Sequence, residues 1–239
     1  MLSEQMVYRR VYVIGDIHGR SDLLDSVVKG IQRDLDSAGE SEKDCLTVTL
    51  GDYLDRGPDS RGVLDRLSRN PFPTRYIALK GNHEELFEGF LRDTSAWHHW
   101  WQLGGLQTLN SYGIAVTPLM MKSDLEAVAV ALRAAVPLRH QQFLSSLQPS
   151  LELDRYFLCH AGIRPGIPFD QQSQNDLLWI REEFLSSTMS FGKIVIHGHT
   201  PVRQPEILWN RINIDTAAFA TGRLTCLVLE GPRYRFLTT

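Results

Sequence analysis

"RVYVIGDIHGRSDLL", residues 10–24, decides how this chain is read. A β-branched, apolar run ends at Gly15, and a carboxylate and an imidazole follow at Asp16 and His18. Apolar residues then recur at Leu23, Leu24, Val27, Val28, Ile31 and Leu35, the spacing of one helix face. Ser21 stands where a helix cap belongs. The same plan returns in "CLTVTLGDYLDRGPDS" (45–60), with the helical "SRGVLDRLSRN" (60–70) behind it, and again in "RYIALKGNHEELFEGFLRD" (75–93). Strand, glycine-marked turn and helix in this alternation predict parallel β-α-β units, whose strand C-terminal ends gather along one sheet edge. Taken alone, the pattern reaches as far as an α/β fold.

Working outward, residues 94–147 carry amphipathic helical patterns and the aromatic segment "TSAWHHWWQLGGLQTLNSYG" (94–113), with no convincing strand. They read as a helical insert within one domain spanning 1–239. From about Leu151 short strands return at "RYFLCHAG", "GKIVIHGHT", "EILWN", "RINIDT" and "RLTCLVLEG". A chain of 239 residues with 43% hydrophobic content can bury a large core. Its formal charge of −3 offers no basic stripe for nucleic acid and no polybasic surface for membranes. No apolar run approaches the length of a membrane span, and "MLSEQMVYRR" (1–10) lacks the basic-then-apolar order of a signal peptide, so the expected location is cytoplasmic. Cys45, Cys159 and Cys226 are odd in number and far apart, which suggests neither a disulfide framework nor a paired-cysteine zinc site.

Five predicted strand ends carry polar residues of one chemical kind: "GDIHG", "GDYLDRG", "GNHE", "CHAG" and "HGHT". A lone Gly-Asp is usually a turn, and a lone buried histidine is usually a hydrogen-bonded core residue. Five together point to metal ligation. Asp16 and His18, two apart in extended backbone, face one side and can share a cation. Asp52 can bridge a pair of cations, and Asn82, His160 and His199 complete the second. Oxygen and nitrogen donors without thiolate suit manganese, iron or zinc.

The ordered set of "GDIHG", "GDYLDRG", "GNHE", "HAGI" and "GHTP", running from residue 15 to residue 201, resembles the phosphoprotein phosphatase family of binuclear, calcineurin-like metallophosphoesterases, in its compact bacterial and phage form. The resemblance implies a four-layer αββα sandwich of two mixed sheets flanked by helices. It implies two divalent ions, most readily manganese, held by Asp16, His18 and Asp52 and by Asp52, Asn82, His160 and His199. His83 would then protonate the leaving oxygen, oriented by Asp55, with Arg56 gripping phosphate. The arginine two residues after a tryptophan in "LLWIRE", Arg181, would be the second phosphate ligand. The implied reaction is metal-dependent phosphomonoester hydrolysis by direct attack of a metal-bridging hydroxide, on a phosphoprotein or phosphopeptide serine or threonine. A symmetrical diadenosine tetraphosphatase, acting on a dinucleotide, shares that core and is the alternative. The Asp55–Arg56 pair favours the protein phosphatase, and Trp97, Trp100 and Trp101 are candidates for contact with either substrate or with the core.

Other residues read more plainly. "CHAGIR" leaves four residues between Cys159 and Arg164, where the phosphate loop of thiolate phosphatases needs five. His197 reads as a strand residue facing away from the ions or a donor to a ligand, Asp215 as a turn former, and Glu84 and Glu85 as helix-dipole partners. Arg20, Lys80, Arg164 and Lys193 read as solvated charge.

Overall fold

The computed structural model describes residues 8–39, 41–117 and 124–239. Most of the segment read as lacking a signal peptide, and residues 118–123 of the insert, lie outside the described residues. Ten strands form two five-stranded sheets. In chain order the elements are β1 (Arg10–Ile14), α1 (Ser21–Ala38), β2 (Cys45–Thr49), α2 (Ser60–Leu67), β3 (Arg75–Ala78) and α3 (Asn82–Arg92). Helices α4 (Trp97–Gln102), α5 (Gly105–Ser111), α6 (Leu125–Ala135) and α7 (Leu138–Ser145) come next. Then follow β4 (Ser150–Glu152), β5 (Tyr156–Cys159), α8 (Gln174–Trp179), α9 (Glu182–Leu185), β6 (Ile194–His197), β7 (Glu206–Ile207), β8 (Arg211–Asn213), α10 (Ala218–Thr221), β9 (Thr225–Glu230) and β10 (Arg233–Thr238).

The first sheet runs β10-β9-β1-β2-β3 and the second β4-β5-β6-β8-β7. Strands β1, β2 and β3 are parallel, as the repeated pattern predicts, while β9 joins β1 antiparallel and makes the sheet mixed. Likewise β5, β6 and β8 are parallel, with β4 and β7 antiparallel on the edges. Alternation along β1 explains the layering. Val11 and Val13 enter a core with Leu158, Ile196 and Leu227 from both sheets, while Tyr12 and Ile14 face the α1 side with Leu24, Val27 and Ile31. A third cluster, with Phe157, Leu177, Ile180 and Phe184, covers the outer face of the second sheet. The result is helix, sheet, sheet, helix: the αββα sandwich implied by the resemblance.

Two local expectations are corrected. Ser21 does not cap α1; it is the first helical residue, and its hydroxyl donates to Asp59 at 2.6 Å, tying α1 to the cap of α2. The predicted strand "EILWN" pairs only at Glu206 and Ile207, whereas "RYRFLT" forms the edge strand β10, where alternating arginines mask the apolar period. The 94–147 segment contains helices and, among the described residues, no strand. No helix among the described residues is long and apolar enough to cross a membrane.

Candidate active site

The predicted site residues, apart from Arg181 between α8 and α9, stand in the turns and at the helix start beyond the C-terminal ends of strands. Asp16 and His18 follow β1, Asp52 and Asp55 follow β2, His83 opens α3 after β3, His160 follows β5, and His199 follows β6. The turns that carry them are strained. Of the seven non-glycine residues with positive φ among those described, five are His18, Asp52, Asp55, Arg56 and His199. Side chains there cost roughly 1–3 kcal/mol each, and such backbone persists only where the surroundings enforce it. Gly51, at φ +105°, shows one such constraint: a Cβ there would lie 2.4 Å from the nitrogen of Gly81.

Glu84 supplies much of the enforcement. Fully buried, its carboxylate accepts from the backbone N–H of Asp52 (2.8 Å), Tyr53 (2.8 Å), Leu54 (3.3 Å) and Gly81 (3.0 Å). It therefore does more than meet a helix dipole; it shapes the loop that presents Asp52. Glu85 accepts from the indole of Trp179 at 2.7 Å.

Two groups of buried donors each gather within 4.8 Å: His18, Asp52 and His83, and Asp52, His160 and His199. Asp52 belongs to both. Its Oδ2 lies 3.4 Å from His18 Nε2 and 3.7 Å from His83 Nε2, and its Oδ1 lies 3.3 Å from His160 Nε2. Asn82 Oδ1 lies 2.8 Å from His160 Nε2 and 2.9 Å from His199 Nδ1. Spacings near 3 Å are of the order expected for donors that each sit about 2.1 Å from one shared ion. The Nδ1 atoms of His18 and His160 face the carbonyls of Leu54 (2.7 Å) and Leu50 (3.0 Å), which leaves each Nε2 lone pair toward Asp52. Asp16 is outside both groups: its Oδ2 accepts from the His199 N–H at 3.0 Å, and its buried Oδ1 has no partner among the described residues. Gly198 is bare because a Cβ there would meet that oxygen at 2.0 Å.

The electrostatics fit cations. Burial, reinforced by Asp215 and Asp52, holds the Asp16 carboxyl well above its usual range, and burial with Glu84 does the same to Asp52. Burial also pushes His160 down to about 3 and lowers His18, His83 and His199, so these rings are neutral, the form that binds metal. Crowded carboxylates, neutral imidazoles and the orphaned Asp16 oxygen together describe a site short of positive charge. These residues fit a divalent metal pair.

Beside the first group, His83 Nδ1 lies 2.7 Å from Asp55 Oδ2, and Arg56 Nη2 lies 3.3 Å from His83 Nε2. Asp55 is fully buried, and burial raises its carboxyl to about 7 against the hydrogen bonds donated by Thr108 (2.5 Å) and by the Trp100 indole (2.9 Å). Trp100 and Trp97 are thus core residues, packed against Phe90 and unable to stack on a ligand, while Trp101 remains exposed. Arg181 is exposed and donates to Thr200 Oγ1 at 3.2 Å, on the loop after His199.

The remaining residues are placed elsewhere. His197 is buried edge-on against Phe184, at 5.0 Å between centroids. Asp215 makes its turn bond to the Ala217 N–H at 2.9 Å, but it is also buried and raises Asp16. Lys80 and Arg164 are paired with Glu88 and Asp176, and Lys193 with Glu152. Arg20 pairs with Asp22 and also donates to the Ala218 carbonyl at 2.9 Å. All three cysteines are buried, and burial pushes the thiols of Cys159 and Cys226 up, away from the reactive thiolate. Thr108 and Phe219 are the residues that sequence reasoning missed; Glu84 and Trp100 were singled out there, but not as holders of the Asp52 loop and of Asp55. Phe219 lies under Arg56, with the guanidinium carbon 5.0 Å from its ring centre.

Comparison with known proteins agrees with this geometry. The chain is 29% identical over 223 residues to serine/threonine-protein phosphatase 1 of Salmonella typhimurium, covering 91% of each chain. It is 24% identical over 232 residues to an asymmetrical bis(5'-nucleosyl)-tetraphosphatase, PrpE, of Halalkalibacterium halodurans, covering 90% of this chain and 88% of that one. Its fold superimposes on a cold-active protein tyrosine phosphatase with a TM-score of 0.62 at 19% identity, over 97% of this chain and 78% of the other. The family model for calcineurin-like phosphoesterases matches residues 9–222, and this chain belongs to that family of metal-dependent hydrolases.

Proposed function

We propose that this chain is a protein phosphatase that hydrolyses phosphoserine and phosphothreonine. The observation that carries this reading is the Asp55–His83–Arg56 arrangement beside Asp52, with Asp55 and Arg56 within 2.7 and 3.3 Å of opposite nitrogens of one imidazole. Similarity to a serine/threonine phosphatase along nearly the whole chain supports it.

In this reading Asp52 joins the two donor groups, with Asp16 and His18 on one side and Asn82, His160 and His199 on the other. A pair of divalent ions, manganese by preference, would supply positive charge toward phosphoryl oxygens and an activated water. Arg56 neutralises the phosphate oxygens and Arg181 reaches them from the opposite loop. His83 serves the leaving oxygen as an imidazolium: bound anionic phosphate offsets the burial and the Arg56 charge that keep the ring neutral in the empty site, and Nε2–H is the proton delivered. Asp55 accepts from Nδ1 and so directs the other nitrogen at the substrate. The guanidinium beside Nε2 also repels a divalent ion there until phosphate is bound, which separates His83 from the metal-holding residues. Residues 1–239 act as one catalytic domain, because Trp100 and Thr108 of the 94–147 insert hold Asp55 in place. With this reading goes the expectation of a cytoplasmic enzyme whose partner is its phosphorylated substrate rather than nucleic acid or a membrane surface.

The second reading, dinucleoside tetraphosphate hydrolysis, is favoured by the similarity to an asymmetrical bis(5'-nucleosyl)-tetraphosphatase. The burial of Trp97 and Trp100 argues against it, since of the three tryptophans there Trp101 alone is exposed to meet a base. Protein stripped with EDTA and restored with manganese should turn over a phosphoserine peptide with kcat/KM at least about tenfold above that for diadenosine tetraphosphate. The reverse order would transfer the chain to the dinucleotide reading.

A further inference from the structure

Arg56 is weakly anchored for a residue that must meet phosphate in a fixed plane. Among the described residues its guanidinium makes one hydrogen bond, to His83 Nε2 at 3.3 Å, and no ion pair. A guanidinium has five N–H donors on a flexible stem, and holding it still costs rotamer entropy. One surface limits that freedom. The Phe219 ring lies against the guanidinium, 5.0 Å from its centre to the guanidinium carbon, and meets the edge of His18 at 5.5 Å with an interplanar angle of 85°.

The ring is itself held. Ala217 turns through left-handed backbone at φ +52°, its N–H is taken by Asp215 Oδ1 at 2.9 Å, and the Ala218 carbonyl accepts from Arg20 Nη1 at 2.9 Å. Two tethers hold the two residues immediately before the one that carries the ring. Arg20 is itself fixed by its pair with Asp22, so the start of α1 and the turn before α10 brace Phe219 together.

We propose that Phe219 is a positioning residue, whose ring holds the Arg56 guanidinium in the orientation that meets the substrate phosphate. The inference rests on Arg56 being the phosphate-binding arginine. A cation over an aromatic face is held by the ring quadrupole and by contact, and leucine keeps the contact but loses the quadrupole.

The test is a double-mutant cycle on the manganese-loaded enzyme with p-nitrophenyl phosphate, reading kcat, KM, and the inhibition constant of inorganic phosphate. Phe219→Leu should raise KM and the phosphate inhibition constant about three- to thirtyfold with kcat changed less, and Phe219→Tyr should restore both. In an Arg56→Ala background the Phe219→Leu change should add less than about twofold. Bound manganese should be equal in all variants. Effects of the two substitutions that multiply would overturn the proposal, as would a tyrosine variant no better than leucine. Loss of manganese from Phe219→Leu would assign the ring to His18 instead and also overturn it. Should Arg56→Ala alone leave KM and phosphate inhibition unchanged, the reading of Arg56 fails, and the inference built on it falls for that separate reason.

Discussion

Replacing Asp52 by asparagine is expected to lower turnover by about 10³- to 10⁴-fold while leaving the metal-free protein at least as stable as the parent. The two halves of this expectation come from one fact. Asp52 is the member common to both donor groups, with one oxygen facing His18 and the other facing His160. Removing one charge from a buried, paired arrangement costs about 3–5 kcal/mol, which is about 160- to 5,000-fold in rate if it falls on the transition state. Here two cation positions lose the same partner. Without metal, however, that carboxylate is a burden: burial and Glu84 raise its pKa, and the amide removes the repulsion while keeping an oxygen for the His83 N–H, 3.1 Å away. Kinetics with p-nitrophenyl phosphate and thermal unfolding in EDTA check the two halves. A variant that loses activity only because it unfolds would show a lowered Tm in EDTA.

His83→Asn should divide substrates by their leaving groups. A seryl alkoxide departs poorly without a proton, and general acid catalysis contributes about 10² to 10⁴ in rate. p-Nitrophenolate departs unaided. The variant should therefore lose about 10²-fold or more on a phosphoserine peptide and less than about tenfold on p-nitrophenyl phosphate. Asp55 is placed to make this possible, for its carboxylate sits 2.7 Å from His83 Nδ1 and is steadied by Thr108 and Trp100. Equal losses on both substrates would remove His83 from the proton-transfer role and leave it as a support for the first donor group.

How far the fold was legible follows from where its signals lie. The β1, β2 and β3 units were readable because each strand ends at a glycine and gives way to a helix-period face within a few residues. Strand β10 is hidden because this edge strand alternates Arg233 and Arg235 with an exposed Tyr234 and a half-buried Phe236, a pattern no different from loop. The site was legible to the extent that its residues lie in short motifs at strand ends. Glu84 was read as a dipole partner because its four N–H donors come from three neighbouring residues some thirty positions earlier and from Gly81, contacts that exist only after β2 and β3 pair. Trp100 and Thr108 reach Asp55 across 45 and 53 residues of chain, so no local pattern could reveal them. Asp16 shows what spacing leaves out: the turn at His18, with φ +43°, breaks the extended geometry assumed for the pair, and while Asp16 Oδ2 accepts from the His199 N–H, its other oxygen stays buried with no partner among the described residues.

Whether Asp52 joins two divalent ions in one working site is decided by counting bound ions against activity. Metal-free protein titrated with manganese, with bound metal measured after rapid desalting and turnover measured on the same samples, should reach two ions per chain, with activity rising only as the second is filled. Full activity at one ion per chain would contradict it.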